Sequence, residues 1–369
     1  MHRVRIRGVA VAGVALAAAA LSLAACSSSS TTAPSSGGGS AAKLSGTLNG
    51  SGSTFQLTFQ QTAITNFKSV QPDMTVNYGG GGSGKGRTDL SSNVVQYAGS
   101  DTAPIPSDEV ASFKGKTVLY FPVIVGPITV SYNLSGVSNL KLDGPVIAGL
   151  FDGSIKSCND PKIAALNSGV KLPNTTVVIA RRSDSSGTTA NFSQFLVDAA
   201  PGVWKLGSSS TISWPANSRG GNGNGGVAQI VKTTAGAVGY VDYSDAKASG
   251  LTFASVKNKD GSYVAPSVAS ATTAADNATV KPDLTFSGIW TPGAGSYPIT
   301  YQSFVLVYQA QSSSNTSKML QAYLGYLLGD GQKTLPSLNY APLPASIDQK
   351  AKAQLPMIGS SSSASPTSS

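Results

Sequence analysis

Short apolar runs that end in glycine or small polar residues, each followed by a stretch of helical periodicity, recur along this chain and restrict it to an α/β architecture. "MTVNY" (74–78) empties into "GGGGSG", and "YAGSD" (97–101) ends a short strand on a carboxylate. "TTVVIARR" (175–182) gives way to "SDSSGT" and then to "TANFSQFLVDAA" (189–200), where Phe192, Phe195, Leu196 and Ala199 share one helical face. Phe55, Phe59, Ala63 and Phe67 recur every four residues and predict a first helix capped by Ser53 or Thr54. Residues 87–96 and "GPVIAGLF" (144–151) predict two more. The glycine-rich "RGGNGNGG" (219–226) leads into another helix and the strand "AVGYVDY" (237–243); "ITYQSFVLVYQ" (299–309) reads as a strand and "SKMLQAYLGYLL" (317–328) as a helix. "VLYFPVIVGPITVSYNL" (118–134) is strand material broken by Pro122, Gly126 and Pro127, a place suited to a crossing between lobes, with the return near Pro298. There is no internal repeat.

The roughly 315 residues from Leu44 to Ile358 are too many for one ordinary core and suit two lobes. Ahead of them, Arg3, Arg5 and Arg7 precede an apolar run from Val9 to Ala20, the layout of a secretory signal over residues 1–25, with a membrane-spanning anchor as the alternative. "LAAC" (Leu23 to Cys26) resembles the lipobox of bacterial lipoproteins, which implies cleavage before Cys26 and its lipidation. Residues 26–43, rich in Ser, Thr and Gly, then form a flexible tether, of which Ser27 to Ala42 has a reach of roughly 20 to 24 Å, and 359–369 a similar disordered tail. Loss of the three leader arginines lowers the formal charge from +9 to +6. The remaining Lys and Arg are scattered and not interleaved with aromatics, which argues for mild attraction of anions and against nucleic acid. His2 is the sole histidine and leaves with the signal, excluding a Ser-His-Asp triad and a histidine-ligated zinc site. Cys158 has no partner for a structural disulfide. No cofactor or metal is called for.

Three loops share one design, in which a strand ends, small residues turn and a helix begins: Ser53 to Phe55, Gly80 to Ser83, and Ser186 to Thr188. Helix N-termini offer unpaired N–H groups and about half a positive charge each, and ligands of open α/β sheets sit beyond the carboxyl ends of the strands. These loops are therefore candidates to converge on one anion, although each alone also reads as a helix cap or a turn. Within the second, Gly79, Gly84 and Lys85 fit a nucleotide-binding P-loop, but Gly86 stands where that motif needs Ser or Thr for its metal.

"GSGSTF", "YGGGGSG", "AGSDTAP", "FPVIVGPITVSYN", "RRSDSSGTTANF", "WPANSRGGNGNGGVAQIV", "GAVGYVDY" and "YPITYQSFVLV" resemble, in the same order, the landmarks of the phosphate-binding proteins (PstS family) of bacterial high-affinity phosphate ABC transporters. The resemblance runs from about Leu44 to Ile358. It implies a two-lobe periplasmic-binding-protein fold (type II), with residues 44–124 and 298–358 in one lobe, 125–297 in the other and the anion in the hinged cleft between them. It also implies that Thr54 and the N–H of Phe55 meet the anion, Ser83 joins them, Asp101 accepts a hydrogen bond from the ligand, and Arg182 supplies the charge with Asp184 holding its guanidinium. Ser186, Gly187 and Thr188 correspond to the donors at the helix end. The partners implied are inorganic phosphate and the membrane permease of the transporter, for a monomer anchored by lipid to the outer face of the cell membrane. Ser185 stands where the family has glycine, which costs roughly 1 to 2 kcal/mol if φ is positive there. Cys158 stands where the family often has tryptophan and reads as a packed thiol. Two rivals are an exported phosphoesterase with Ser186 or Thr188 as nucleophile, which lacks a base, and a binder of sulfate, from which Asp101 is the discriminating residue.

Overall fold

The computed structural model describes residues 43–359. The signal, Cys26 and nearly all of the tether and tail readings lie outside the described residues. The chain begins β1 (Gly46–Gly52), α1 (Leu57–Phe67), β2 (Met74–Gly80), α2 (Ser83–Ser91), β3 (Tyr97–Ser100) and β4 (Val118–Tyr132). There follow β5 (Lys141–Leu142), α3 (Gly144–Phe151), α4 (Pro161–Leu166), β6 (Val178–Arg182), α5 (Gly187–Ala199), β7 (Arg219–Gly221), α6 (Gly223–Thr233), β8 (Ala237–Asp242) and α7 (Tyr243–Ala248). Short strands β9 (Thr252–Phe253), β10 (Ser255–Lys257) and β11 (Tyr263–Val264) lead to α8 (Val268–Asp276), β12 (Thr300–Tyr308), α9 (Ser314–Leu328) and α10 (Ala345–Gln354).

The main sheet runs β2-β1-β3-β12-β4-β8-β6-β7, with β9 joined to β4. Parallel pairing occupies its two flanks, β1 with β2 and β3 on one side and β6 with β7 and β8 on the other. The antiparallel pairs lie in the middle, where β12 contacts β3 and β4 and β8 contacts β4. Each flank thus repeats the strand, turn and helix unit read from the sequence, and all the turns carrying candidate residues follow parallel strands.

The break expected in 118–134 does not occur: β4 is one strand of 15 residues. Pro122 cannot donate to a ladder, but it lies at a bulge where Phe304 pairs with Pro122 and Ser303 with Ile124, so Val123 is passed over. Gly126 makes room for Phe55, since a Cβ there would lie 2.8 Å from the end of the phenyl ring. That ring packs in turn on Tyr301 and Tyr340, with centroids 4.3 and 5.1 Å away. β4 pairs with β12 as far as Pro127 and with β8 from Ile128 onward, so it changes partner without stopping. The Ile128 N–H donates to the Ile299 carbonyl at 2.8 Å, which sets the start of β12 beside that change.

Two helices begin elsewhere than their patterns predict. α1 starts at Leu57, after Gln56, and has no side-chain cap, because Ser53 turns towards Asp101 instead. α2 starts at Ser83, not at 87, with Gly84 and Gly86 in its first turn. Glycine in a helix costs up to about 1 kcal/mol, yet a Cβ on Gly86 would lie 2.7 Å from the Gly52 Cα and the Ser51 carbonyl. The glycines let the helix end rest on the tips of the strands, a long-range contact that local periodicity does not register. The α5 face forms as read: Phe192, Phe195 and Leu196 are fully buried and Ala199 partly so.

Candidate functional site

The loops after β1, β2 and β3 on one flank meet the loop after β6 on the other, and all the candidate residues from Thr54 to Thr188 lie around this junction. Asp101, directly after β3, is 2% exposed. Its Oδ1 accepts from Ser53 Oγ and Ser303 Oγ, each at 2.5 Å, and its Oδ2 from Ser83 Oγ at 3.2 Å. The Asp101 N–H donates back to Ser83 Oγ at 3.0 Å. Burial pushes the carboxyl above its ordinary pKa; the hydroxyls of Ser303 and Ser53, the Arg182 charge and Ser83 work against that.

Arg182, the last residue of β6, is 3% exposed. Its Nε donates to Asp184 Oδ1 at 2.8 Å and its Nη2 to Asp184 Oδ2, while Nη1 donates to Thr188 Oγ1 at 3.3 Å. A guanidinium has five N–H groups, so one on each Nη is left over, a two-pronged fork of the kind that receives oxyanions. Burial opposes the charge of Arg182, but the bonds and charge of Asp184 outweigh it and hold the pKa above the ordinary value. Asp184 is held below its own ordinary value, since the hydrogen bond and charge of Arg182 prevail over burial.

The remaining candidates divide into open and occupied donors. Ser186 caps α5, its Oγ accepting from Thr189 N at 3.1 Å, and its own N–H goes to the Ser210 carbonyl at 2.9 Å. The N–H groups of Gly187 and Thr188, the first two of α5, have no intrahelical acceptor. Phe55 departs from expectation, because its N–H is taken by Ser53 Oγ at 3.1 Å. Ser83 is likewise turned onto Asp101. Thr54 Oγ1 accepts from Asn224 at 3.3 Å, which keeps its proton available. Lys85 is drawn aside by Asp89 at 2.6 Å, so the P-loop reading has no support. Ser185 lies outside the left-handed region and carries none of the anticipated strain. Cys158 is the packed thiol anticipated, buried, with burial pushing its pKa up to about 11.

The flanks touch closely. Gly84 N donates to the Ser185 carbonyl at 3.1 Å, and Asn191 Nδ2 to the Asp101 carbonyl at 2.8 Å. A Cβ on Gly187 would overlap Ser83 Oγ and lie 2.6 Å from the Asp101 Cβ. Gly187→Ala therefore wedges the cleft. Overpacking of this kind costs about 1 to 3 kcal/mol, so affinity for phosphate, the ligand that the sequence resemblance implies, should fall roughly ten- to a hundredfold by calorimetry.

A family model described as a PBP superfamily domain matches residues 37–331. The phosphate-binding protein PstS 3 of Mycobacterium leprae (strain TN) is 35% identical over 314 residues, 82% of this chain and 85% of its own. The phosphate-binding protein PstS of Pasteurella multocida (strain Pm70) is 33% identical over 314 residues, 84% of this chain and 89% of its own. The chain belongs to the PstS family. The same fold recurs in a high-affinity periplasmic phosphate-binding protein (PfluDING) solved with phosphate, at a TM-score of 0.68 and 19% identity over 84% of this chain and 94% of that one. A phosphate-binding protein from Stenotrophomonas maltophilia gives a TM-score of 0.63 at 18% identity, over 84% and 94%. This PstS chain accordingly has the two-lobe periplasmic-binding-protein fold.

Several residues of this PstS cleft escaped sequence reasoning. Ser303 is a hydroxyl within the apolar strand β12, and that contrast is the signal that could have found it. Gln56 donates to Ser303 Oγ at 2.7 Å and fixes it. Tyr240 accepts from the Arg182 N–H at 3.0 Å and meets Thr189 Oγ1 at 2.6 Å, anchoring the arginine from below. The partners of Gln56 and Tyr240 are remote in sequence, and no local pattern announces these two residues.

Proposed function

We infer that this chain is an extracytoplasmic substrate-binding lipoprotein that captures inorganic phosphate and delivers it to the permease of an ABC transporter. The observation that carries this reading is a buried acid and a buried guanidinium at one cleft. A protonated oxyanion satisfies both, its oxygens on the Arg182 fork and the N–H groups of Gly187 and Thr188, its hydroxyl on Asp101. Thr54, Ser83 and Ser186 contribute hydroxyls, and Phe55 a backbone N–H once Ser53 is released.

Residues 44–124 with 298–358 make one lobe and 125–297 the other; the partner change in β4 at Pro127 and Ile128 supports a crossing there, with the hinge formed by β4 and the start of β12. Titration of the purified chain with phosphate and sulfate tests the reading. Tight phosphate binding with little response to sulfate is expected, and the reverse preference would favour a different oxyanion. A phosphoesterase fits poorly, because the Ser186 hydroxyl is engaged as a helix cap and Thr188 faces an arginine in place of a base.

Among the described residues no helix is long and apolar enough to cross a membrane. The attachment proposed is the lipid on Cys26. Cys26→Ser should release the protein from the membrane fraction into the medium, measured by fractionation and immunoblotting; continued membrane association would count against the anchor.

A further inference from the structure

The first two residues of α6, Gly223 and Asn224, touch two arms of the site. The N–H of Gly223 donates to Asp184 Oδ1 at 3.1 Å, on the carboxylate that holds Arg182. Gly223 has φ +65° and packs against the Thr54 side chain, where a Cβ would lie 3.3 Å from Thr54 Cγ2. Asn224, one residue on, is fully buried, and its Nδ2 donates across the cleft to Thr54 Oγ1 at 3.3 Å. The other end of the amide, Oδ1, is buried without a hydrogen-bond partner. Burying an amide with one end unsatisfied is unfavourable, and an apolar side chain would avoid the cost. Among the described residues, the one hydrogen bond that this side chain makes is the bond to Thr54.

A threonine hydroxyl has a single proton to give. When Thr54 Oγ1 accepts from Asn224, that proton is left for another acceptor, and the acceptor brought to this cleft is the anion. We propose that Asn224 is a positioning residue for phosphate capture: on closure of the lobes its amide docks on Thr54, orients the hydroxyl proton towards the anion and latches the bound state. This rests on the phosphate-binding reading. Because the bond joins groups on opposite flanks, it forms only when they meet, so it slows dissociation and leaves the encounter step unaffected.

Stopped-flow and calorimetric phosphate binding to Asn224→Ala, Thr54→Val and the double variant test it, with the wild-type chain titrated first. Absence of phosphate binding by the wild type would overturn the function itself and this inference with it. Given wild-type binding, Asn224→Ala is expected to raise the dissociation rate about tenfold, the usual scale for one hydrogen bond, with the association rate unchanged. The double variant is expected to bind no more weakly than Thr54→Val alone, a coupling that a merely structural role would not produce. Asn224→Asp places an acceptor and a charge beside Thr54 and should lose more than a hundredfold. Unchanged dissociation in Asn224→Ala, or effects of Asn224→Ala and Thr54→Val that add in full, would overturn the proposal. Should Asn224→Ala fail to fold, Asn224→Leu, close in volume and without a donor, takes its place with the same two criteria.

Discussion

Replacing Arg182 with alanine should abolish tight phosphate binding. The side chain is buried, it brings a full positive charge to the cleft, and two of its N–H groups remain for a ligand after Asp184 and Thr188 have taken the others. Removing one member of a buried, hydrogen-bonded charge pair costs about 3 to 5 kcal/mol, a loss of roughly 10² to 10⁴ in affinity. Calorimetry reads this directly, and retained affinity would put the pocket elsewhere. Arg182→Lys should recover little, because an ammonium is a point charge and cannot bridge Asp184 and two ligand oxygens in one plane. The variant also has a signature in acid. Asp184 is held below the ordinary carboxylate range in the folded protein, so its pairing stabilises the fold above the unfolded pKa and is lost as pH falls through the depressed folded value. Urea denaturation across that window should show this loss in the wild type and lack it in Arg182→Ala.

The second large effect concerns selectivity. A carboxylate offers about four lone-pair positions, of which Ser53 and Ser303 take those of Oδ1 and Ser83 one of Oδ2. One position on Oδ2 remains. Hydrogen phosphate can donate its P–OH there, whereas sulfate, unprotonated near neutral pH, would set its lone pairs against a buried negative charge. A site built to hydrogen-bond a ligand hydroxyl rejects the analogue lacking it by roughly 10⁴ to 10⁵. Asp101→Asn removes the charge and presents N–H groups to either ion, so the ratio of phosphate to sulfate affinity should narrow by at least about a hundredfold, mostly through gained sulfate binding. An unchanged ratio would remove Asp101 from the selecting role. Acid should act in the same direction: burial raises the Asp101 pKa, and as pH falls through that raised value the carboxyl gains a proton and stops being a pure acceptor.

What the sequence discloses about such a cleft depends on how far apart the partners lie in the chain. Arg182, Asp184 and Thr188 fall within one strand, turn and helix unit, and their association is legible because the unit is local. Asp101 shows itself as a carboxylate at the end of a small-residue strand. Its three hydroxyl donors come from after β1, from the start of α2 and from the middle of β12, and only the fold unites them. The same applies to the helix starts: Ser53 reads as a cap because capping is the local use of serine, and Asp101 competes for it successfully from 48 positions away. In β4, Pro122 and Gly126 read as breakers because the bulge and the phenyl ring that accommodate them are supplied by β12 and by Phe55.

The chain passes between the two flanks in two places, inside β4 and just before β12, and there the two segments lie side by side and hydrogen-bonded. A ribbon of two bonded strands bends out of its plane far more readily than within it. In the hinged capture proposed above, such a ribbon would give the cleft one easy axis of swing, so that each closure would return Asp101 and Arg182 to the same mutual register.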